Sequence, residues 1–289
     1  MEWLLRAVGA LVVVIVLRDI FHTLWHPQGM GSLARGAIRV VWRGRRLIGR
    51  RRRELIGPLG MLLAVGLWTA LTISGWALIY LPSMSEGFNF EESLRPDQSS
   101  EAVKAVYFSM VTASTLGFGD ITPASSELRL LAPVQAFIGF VLLTAAISWI
   151  LQIYPALGRR RTAAVHLHAL AADDTADLVR NGDTGIASSI LHAVSRDLAG
   201  VAVDMAQYAE SYYFVEDDEA TSLASNLPYA LTLVEAGTGS ASREVRSAAR
   251  VLRSCLQQVT DRVALSHLGV DGSVEEILHA FAEDHRGPA

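Results

Sequence analysis

The most apolar stretches of the chain are long enough to cross a lipid bilayer. Residues 57–82 carry no charged side chain, and a second uncharged run extends from Leu130 to Gly158. Each run exceeds the roughly 20 residues that a spanning helix needs. The pattern therefore predicts an outer transmembrane helix at residues 57–82 and an inner transmembrane helix at residues 128–157.

A third apolar segment, at residues 1–26, is interrupted by polar side chains. The interruptions are Arg6, Arg18, Asp19 and His22. Tryptophans at both ends of the segment suit the aromatic belt of a membrane, so we predict a first transmembrane helix here. A cleaved signal peptide is the alternative, but the segment has only one early arginine and no small-x-small cleavage site.

Asp19, His22 and His26 recur in this segment at helical spacing. Steps of three and four residues place them on broadly one helical face, where they would form a metal or pH-sensing site. Alternatively, Arg18 and Asp19 would pair within the helix bundle or with lipid headgroups.

Charged residues divide the chain into blocks that belong to different surfaces. Residues 27–56 carry nine arginines against one acid, whereas residues 83–103 carry five acids against one arginine. Arginine-rich segments favour the cytoplasmic side of a membrane. We therefore expect a protein of the cell (inner or plasma) membrane, with its N-terminus outside. The basic segment 27–56 and the domain at residues 159–289 would be cytoplasmic, and the loop at 83–103 extracellular.

Within the basic segment, arginines recur at steps of three and four residues, as on one face of a helix. They are Arg35, Arg39, Arg43, Arg46 and Arg50. A basic interfacial helix of this kind would bind anionic lipid headgroups. A voltage sensor would instead need its arginines inside a spanning helix, and that pattern is not seen.

Between the two uncharged runs lies a segment too short to cross the membrane and return. Residues 102–113 are moderately apolar, and Gly117 and Gly119 follow them. Non-helical backbone at membrane depth is tolerated only where it lines a water-filled or ion-filled path. We therefore predict a re-entrant unit, with a pore helix at residues 104–114 and an extended filter at residues 115–120.

Such a filter has the chemistry to replace the water shell of a potassium ion. Backbone carbonyls do this if successive residues point them inward, and glycine permits the backbone angles that this requires. The predicted ion-coordinating residues are Thr115, Leu116, Gly117, Phe118 and Gly119. The residues predicted to support the filter are Tyr107, Ser114 and Asp120. The C-terminal dipole of the pore helix would point towards the ion path.

The stretch at residues 115–120 resembles the selectivity filter of potassium channels, whose signature is TVGYG. Thr115, Gly117 and Gly119 match that signature, and Asp120 matches the aspartate that usually follows it. The resemblance implies a bacterial-type two-helix pore module, here with one extra N-terminal helix. It also implies a homotetramer, because one pore module supplies a quarter of a four-fold filter.

Three positions depart from the family pattern. Leu116 replaces the usual valine and Phe118 the usual tyrosine, both of which occur in family members that select potassium. Phe118 lacks a hydroxyl that could brace the filter. Val111 stands where some bacterial channels carry a glutamate paired with the filter aspartate, so that brace is absent.

The resemblance extends to the inner helix. Gly139 lies twenty residues after Gly119, where family members often have a hinge glycine. Leu143, Ile147 and Leu151 follow at four-residue spacing. We expect these residues to line the pore and form its gate. The alternative is helix–helix packing, with Gly139 letting two backbones approach.

The tail, residues 159–289, is predicted to be helical, with breaks at residues 182–185, 237–239 and 269–272. A near-heptad set would either pack in a bundle or help the tail to tetramerise. That set is Val245, Leu252, Leu256, Val259 and Val263. The acidic run at residues 216–219 would attract a divalent cation or form a solvated loop. No G-x-G-x-x-G motif with βα alternation indicates a nucleotide-binding domain.

Together these patterns predict an all-α membrane protein with three transmembrane helices, a re-entrant pore helix and filter, and a helical cytoplasmic domain. The predicted function is passive potassium conduction, with no catalysis, cofactor or nucleic-acid partner, gated by a signal that the tail would read. The alternatives are a non-selective cation channel and a non-conducting membrane sensor or scaffold. The intact filter argues against both.

Overall fold

The computed structural model describes residues 1–25, 29–45, 50–91 and 100–286, except for the side chains of residues 50–52. These residues form ten α-helices and one two-stranded sheet. The helices are α1 (Glu2–Leu24), α2 (Ser32–Gly44), α3 (Ile56–Tyr80), α4 (Glu101–Ala113), α5 (Ser126–Ala172), α6 (Thr175–Asn181), α7 (Thr184–Gln207), α8 (Leu223–Thr238), α9 (Arg243–Val263) and α10 (Val274–Arg286). The strands are β1 (Phe88–Phe90) and β2 (Ile121–Pro123). The predicted all-α fold class is confirmed, with one short ribbon added.

Three helical stretches of the described chain are long and apolar enough to cross a membrane: Arg53–Ser83, Ser126–Ala172 and Thr184–Gln207. The first two agree with the predicted outer and inner helices. The third differs from the prediction, which placed another crossing at residues 1–26. α7 is apolar because it buries a face that includes Leu191 and Leu198 in the core of the tail. α1 is 23 residues long, and its crossing stays a prediction.

The chain divides into two compact units. The pore unit consists of Met1–His26, Met30–Ala37 and Met61–Ile150. The tail unit consists of Pro27–Gly29, Ile38–Gly60 and Leu151–Ala289.

An aromatic cluster fixes the pore helix α4 within the pore unit. The ring of Tyr80, at the end of α3, lies 5.0 Å from that of Phe108 in α4 and 5.9 Å from that of Phe88 in β1. All three side chains are buried, and their edge-to-face geometry is the one that aromatic pairs prefer. α4 begins at Glu101, three residues before its predicted start, because the Ser100 side chain caps its N-terminus.

The ribbon joins the predicted extracellular loop to the segment that follows the filter. β1 and β2 pair antiparallel, with Asn89 opposite Thr122 and Phe90 opposite Ile121. Strands of three residues carry too little alternation to be predicted from sequence. The pairing therefore appears only in the structure.

A buried carboxylate, Asp19 of α1, caps the N-terminus of α2. Its oxygens accept hydrogen bonds from the N–H groups of Leu33 (2.8 Å) and Ala34 (3.1 Å). Trp68 Nε1 of α3 donates a third, at 2.9 Å. The otherwise unpaired N–H groups of a helix N-terminus favour such an acceptor. These contacts support pairing within the bundle rather than a metal site, and His26 lies outside the described residues.

α7 and α9 form the centre of the tail unit. The near-heptad residues of α9 are all buried: Val245, Leu252, Leu256, Val259 and Val263. Packing within one chain therefore accounts for them. The three predicted breaks do separate α6 from α7, α8 from α9, and α9 from α10.

α5 continues well past residue 157, the predicted end of the inner helix, and reaches Ala172. The arginines after residue 157 are paired within the tail unit, and the end of the membrane-spanning part of α5 at residue 157 stays a prediction. Arg159 bonds Asp204 at 2.6 Å, and Arg160 forms an ion pair with Glu216. Arginines neutralised in this way do not interrupt the helix.

The acidic run at residues 216–219 is only partly a solvated loop. The Glu216 side chain is 6% exposed and faces Arg160, with Arg161 at 3.6 Å. Among the described residues, no three His, Cys, Asp or Glu side chains are placed to hold a metal ion.

Candidate functional site

The predicted filter continues directly from the last turn of the pore helix α4. The N–H groups of Thr115 and Leu116 donate to the carbonyl oxygens of Thr112 and Val111, each at 3.0 Å. Ser114 Oγ donates to the Val111 oxygen at 3.1 Å. Because these bonds overlap, the first filter residues are fixed by the orientation of α4.

The backbone of the filter alternates in handedness. Thr115, Gly117 and Gly119 have positive φ angles of 58°, 55° and 82°, whereas Leu116 and Phe118 do not. In such alternating backbone, successive N–H groups gather on one side, which leaves the carbonyl oxygens to face the other. Glycine adopts positive φ without cost, but a β-branched threonine is strained there by about 1–2 kcal/mol. The positive φ angles at the two glycines could be expected from the sequence, whereas the positive φ at Thr115 could not.

Asp120 is held at the end of the filter by a side chain of the pore helix. The Tyr107 hydroxyl donates to Asp120 Oδ2 at 2.5 Å. The other carboxylate oxygen accepts from the Ile121 N–H at 3.0 Å, and the Asp120 carbonyl accepts from the Glu91 N–H at 2.9 Å. Tyr107 thus braces Asp120 in a chain that has Val111, a residue without a polar group, at the position considered for a glutamate brace.

Two large apolar side chains of the filter are largely exposed in the described part of the chain. Leu116 is 61% exposed and Phe118 is 66% exposed. Exposed apolar groups that lie side by side mark surfaces that contact something else. The filter of a single chain therefore presents an exposed apolar surface.

The residues predicted to line the pore fall into two groups. Gly139 packs against α4, where any Cβ would collide with the Ala113 carbonyl. This contact supports the packing alternative for Gly139, in a helix that runs without a break. Leu143, Ile147 and Leu151 remain exposed along α5, as residues facing a pore or a neighbouring chain would be.

A cavity of about 580 Å³ lies beside the filter in the pore unit. Its walls include Thr72 of α3, Met110 of α4, Leu116 and Phe140 of α5. The cavity lies between the outer helix and the filter, and its walls are mostly apolar.

The predicted lipid-binding arginines are described only in part. Arg35, Arg39 and Arg43 lie in α2 and are exposed. Arg46 and the side chain of Arg50 lie outside the described residues. The opposite side of α2 is buried through Ala34, Ala37, Ile38 and Trp42, so α2 is an amphipathic helix.

Comparisons with known proteins match the same region of the chain. Residues 66–154 match a protein-family model described as "Ion channel". An "Uncharacterized membrane protein YdjJ" of Bacillus subtilis is 28% identical over 184 residues, which cover 61% of this chain and 52% of that protein. A "Putative potassium channel protein" of Rhodopseudomonas palustris is 23% identical over 184 residues, covering 63% of this chain and 44% of that protein.

The chain thus spans about half the length of the curated relatives that it matches. No solved structure matches it. The matched region contains α4, the filter and much of α3 and α5. Residues 66–154 are therefore similar to an ion channel domain, and the apolar helices of the chain indicate a membrane protein.

Proposed function

We propose that this chain is a subunit of a potassium-selective channel that conducts passively. The observation that carries the proposal is the filter backbone, which alternates in handedness at Thr115, Gly117 and Gly119. Rings of inward-facing carbonyls can replace the hydration shell of a potassium ion. The bond from Tyr107 to Asp120 supports the outer end of that backbone.

The channel is a homotetramer in this proposal. The exposed Leu116 and Phe118 side chains support it, because neighbouring chains would bury them on assembly. A closed four-fold ring also brings four filter strands around one axis. The whole coordination site is thus shared among four chains.

The membrane orientation follows from charge. The basic segment with Arg35, Arg39 and Arg43 would face the cytoplasm and contact anionic lipid, and the tail would lie on the same side. The N-terminus would then be outside.

The tail would gate the channel through α5. Arg160 donates to the Phe214 carbonyl at 2.6 Å and to the Ser211 carbonyl, and it is ion-paired with Glu216. These bonds clamp the C-terminal part of the pore-lining helix to the tail. A signal that moved the segment around Phe214 would act directly on α5.

The test is ion flux into liposomes that contain the purified full-length protein. We expect potassium flux with little sodium flux, and loss of the potassium flux in Gly117→Ala, because a side chain disfavours its positive φ of 55°. Gly66→Ala is the matched control, since Gly66 lies in α3 with open space around it. Equal sodium flux would indicate a non-selective pore, and absence of flux would favour a scaffold.

A further inference from the structure

One buried serine fastens the pore helix α4 to both neighbouring helices. Ser109 Oγ donates to the Ile73 carbonyl of α3 at 2.8 Å and accepts from Gln135 Nε2 of α5 at 2.8 Å. The same amide nitrogen also lies 2.9 Å from the Ser109 carbonyl oxygen. Ser109 and Gln135 are both 0% exposed. Hydrogen bonds therefore link three helices at a single point.

A second contact, one helical turn further along, sets the register of α4 and α5. Gly139 follows Gln135 by four residues, and Ala113 follows Ser109 by four. Residues four apart lie on one helical face. Gly139 packs directly on the Ala113 carbonyl. The close contact sets the distance between the helices, while the Gln135 bonds oppose sliding and rotation.

The position of α4 determines the position of the first filter residues, because few residues separate them. Ser109 lies six residues before Thr115, and the N–H groups of Thr115 and Leu116 are bonded to the last turn of α4. A binding site loses selectivity when its ligands shift by about 0.5 Å. A small rotation of α4 would therefore move the innermost carbonyls of the filter.

Stability alone does not explain the glutamine. Gln135 Oε1 is buried and has no hydrogen-bond partner within the described part of the chain. A buried unpaired acceptor costs about 1–3 kcal/mol, which a leucine of similar size would avoid. The amide nitrogen, in contrast, makes two directed bonds. The side chain is suited to fixing a position rather than to filling a core.

We propose that Gln135 and Ser109 are positioning residues of the selectivity filter. They hold α4 at the height and rotation in which the filter carbonyls distinguish potassium from sodium. The inference rests on the proposed channel function. Neither residue stands out in the sequence, because a serine and a glutamine in apolar helices carry no motif.

The experiment compares Gln135→Leu and Ser109→Ala in the full-length protein, reconstituted into liposomes. The readouts are the ratio of potassium to sodium permeability and the fraction of tetramer after gel filtration. Gln135→Leu removes both bonds of the amide, so we expect the permeability ratio to fall about tenfold with assembly unchanged. Ser109→Ala leaves the bond to the Ser109 carbonyl in place, and we expect a fall of about threefold.

Thr144→Val is the matched control, because Thr144 Oγ1 donates to the Phe140 carbonyl of its own helix α5 at 2.9 Å. Its permeability ratio should equal that of the native protein. The double variant Ser109→Ala/Gln135→Leu should lower the ratio by less than the product of the two single effects, since both substitutions remove the same bond between Ser109 and Gln135. Additive effects would mean that the two side chains act separately, against the proposal.

The outcomes separate this inference from the function on which it rests. If the native protein shows no selective potassium flux, the proposed function fails. If the native protein is selective and both single variants keep its permeability ratio, only the positioning role fails. If Gln135→Leu does not assemble, the permeability ratio of Ser109→Ala tests the positioning role: a fall supports it and an unchanged ratio contradicts it.

Discussion

The filter segment at residues 115–119 and the cluster around Tyr212 in the tail are built in opposite ways. The filter uses consecutive residues, relies on backbone angles and is exposed. The Tyr212 ring is buried, 5.7 Å from the ring of Trp42 and 4.8 Å from that of His285. Its hydroxyl donates to Asp284 at 2.5 Å. Side chains from remote parts of the chain thus meet in the cluster.

The two regions therefore differ in what stabilises them. The cluster is complete within one chain, so a change there should weaken the fold of the tail. The filter is incomplete within one chain, so a change there should alter conduction while the fold of the subunit persists. The following predictions test this division.

The largest expected effect on stability is that of Arg160→Met, which removes the ion pair with Glu216 beside the Tyr212 cluster. The substitution leaves Glu216 buried, and among the described residues the remaining ion-pair partner is Arg161 at 3.6 Å. Removing one partner of a buried ion pair costs about 3–5 kcal/mol. We expect hydrogen exchange in peptides of the tail unit to report a loss of stability of this size.

Arg161→Met is the control for this variant, because the Arg161 side chain is 47% exposed. It should cost less than about 1 kcal/mol. Replacing both partners, in Arg160→Met/Glu216→Leu, should restore part of the stability, since no charge is then left buried although the Ser211 and Phe214 carbonyls still lose their donor. A cost below 1 kcal/mol for Arg160→Met would contradict the role of the clamp.

A smaller effect is expected from acid. Burial, and next the charge of Arg160, lower the pKa of His285 to about 4, while Asp284 and Glu216 act in the opposite direction. An unfolded histidine has a pKa near 6.5 and so binds a proton first as the pH falls. The tail should therefore be fully stable above about pH 7 and lose about 1 kcal/mol per pH unit between about pH 6 and pH 4.

Hydrogen exchange of α10 peptides at pH values across that window measures this slope after correction for the intrinsic exchange rate. His285→Gln should flatten the slope, because the glutamine does not titrate. His279→Gln should leave it unchanged, since the His279 side chain is 75% exposed. An equal slope in the native protein and in His285→Gln would assign the acid sensitivity to another group.

The same division explains what could be predicted from sequence. The positive φ of Gly117 and Gly119 follows from residue type, and glycines also marked the breaks between tail helices. The continuation of α5 past residue 157 did not follow from the sequence, because Arg159 and Arg160 pair with Asp204 and Glu216, which lie 45 and 56 residues further along. Contacts of that kind depend on tertiary packing, which no local pattern records.

The smallest effect is expected from Tyr107→Phe, which brings the comparison back to the filter. The substitution removes one hydroxyl and with it the 2.5 Å bond to Asp120. A hydrogen bond to a carboxylate contributes about 1.5–3 kcal/mol, and Asp120 keeps its separate bond from the Ile121 N–H. We expect tetramers in normal yield, but a potassium-to-sodium permeability ratio that falls several-fold, because the outer end of the filter is held less firmly. Tyr212→Leu in the tail cluster is the contrasting variant: it should lower the yield of folded protein without changing the permeability ratio of what folds. If Tyr107→Phe lowered the yield and left the ratio intact, the brace would belong to the fold and the division between the two regions would not hold.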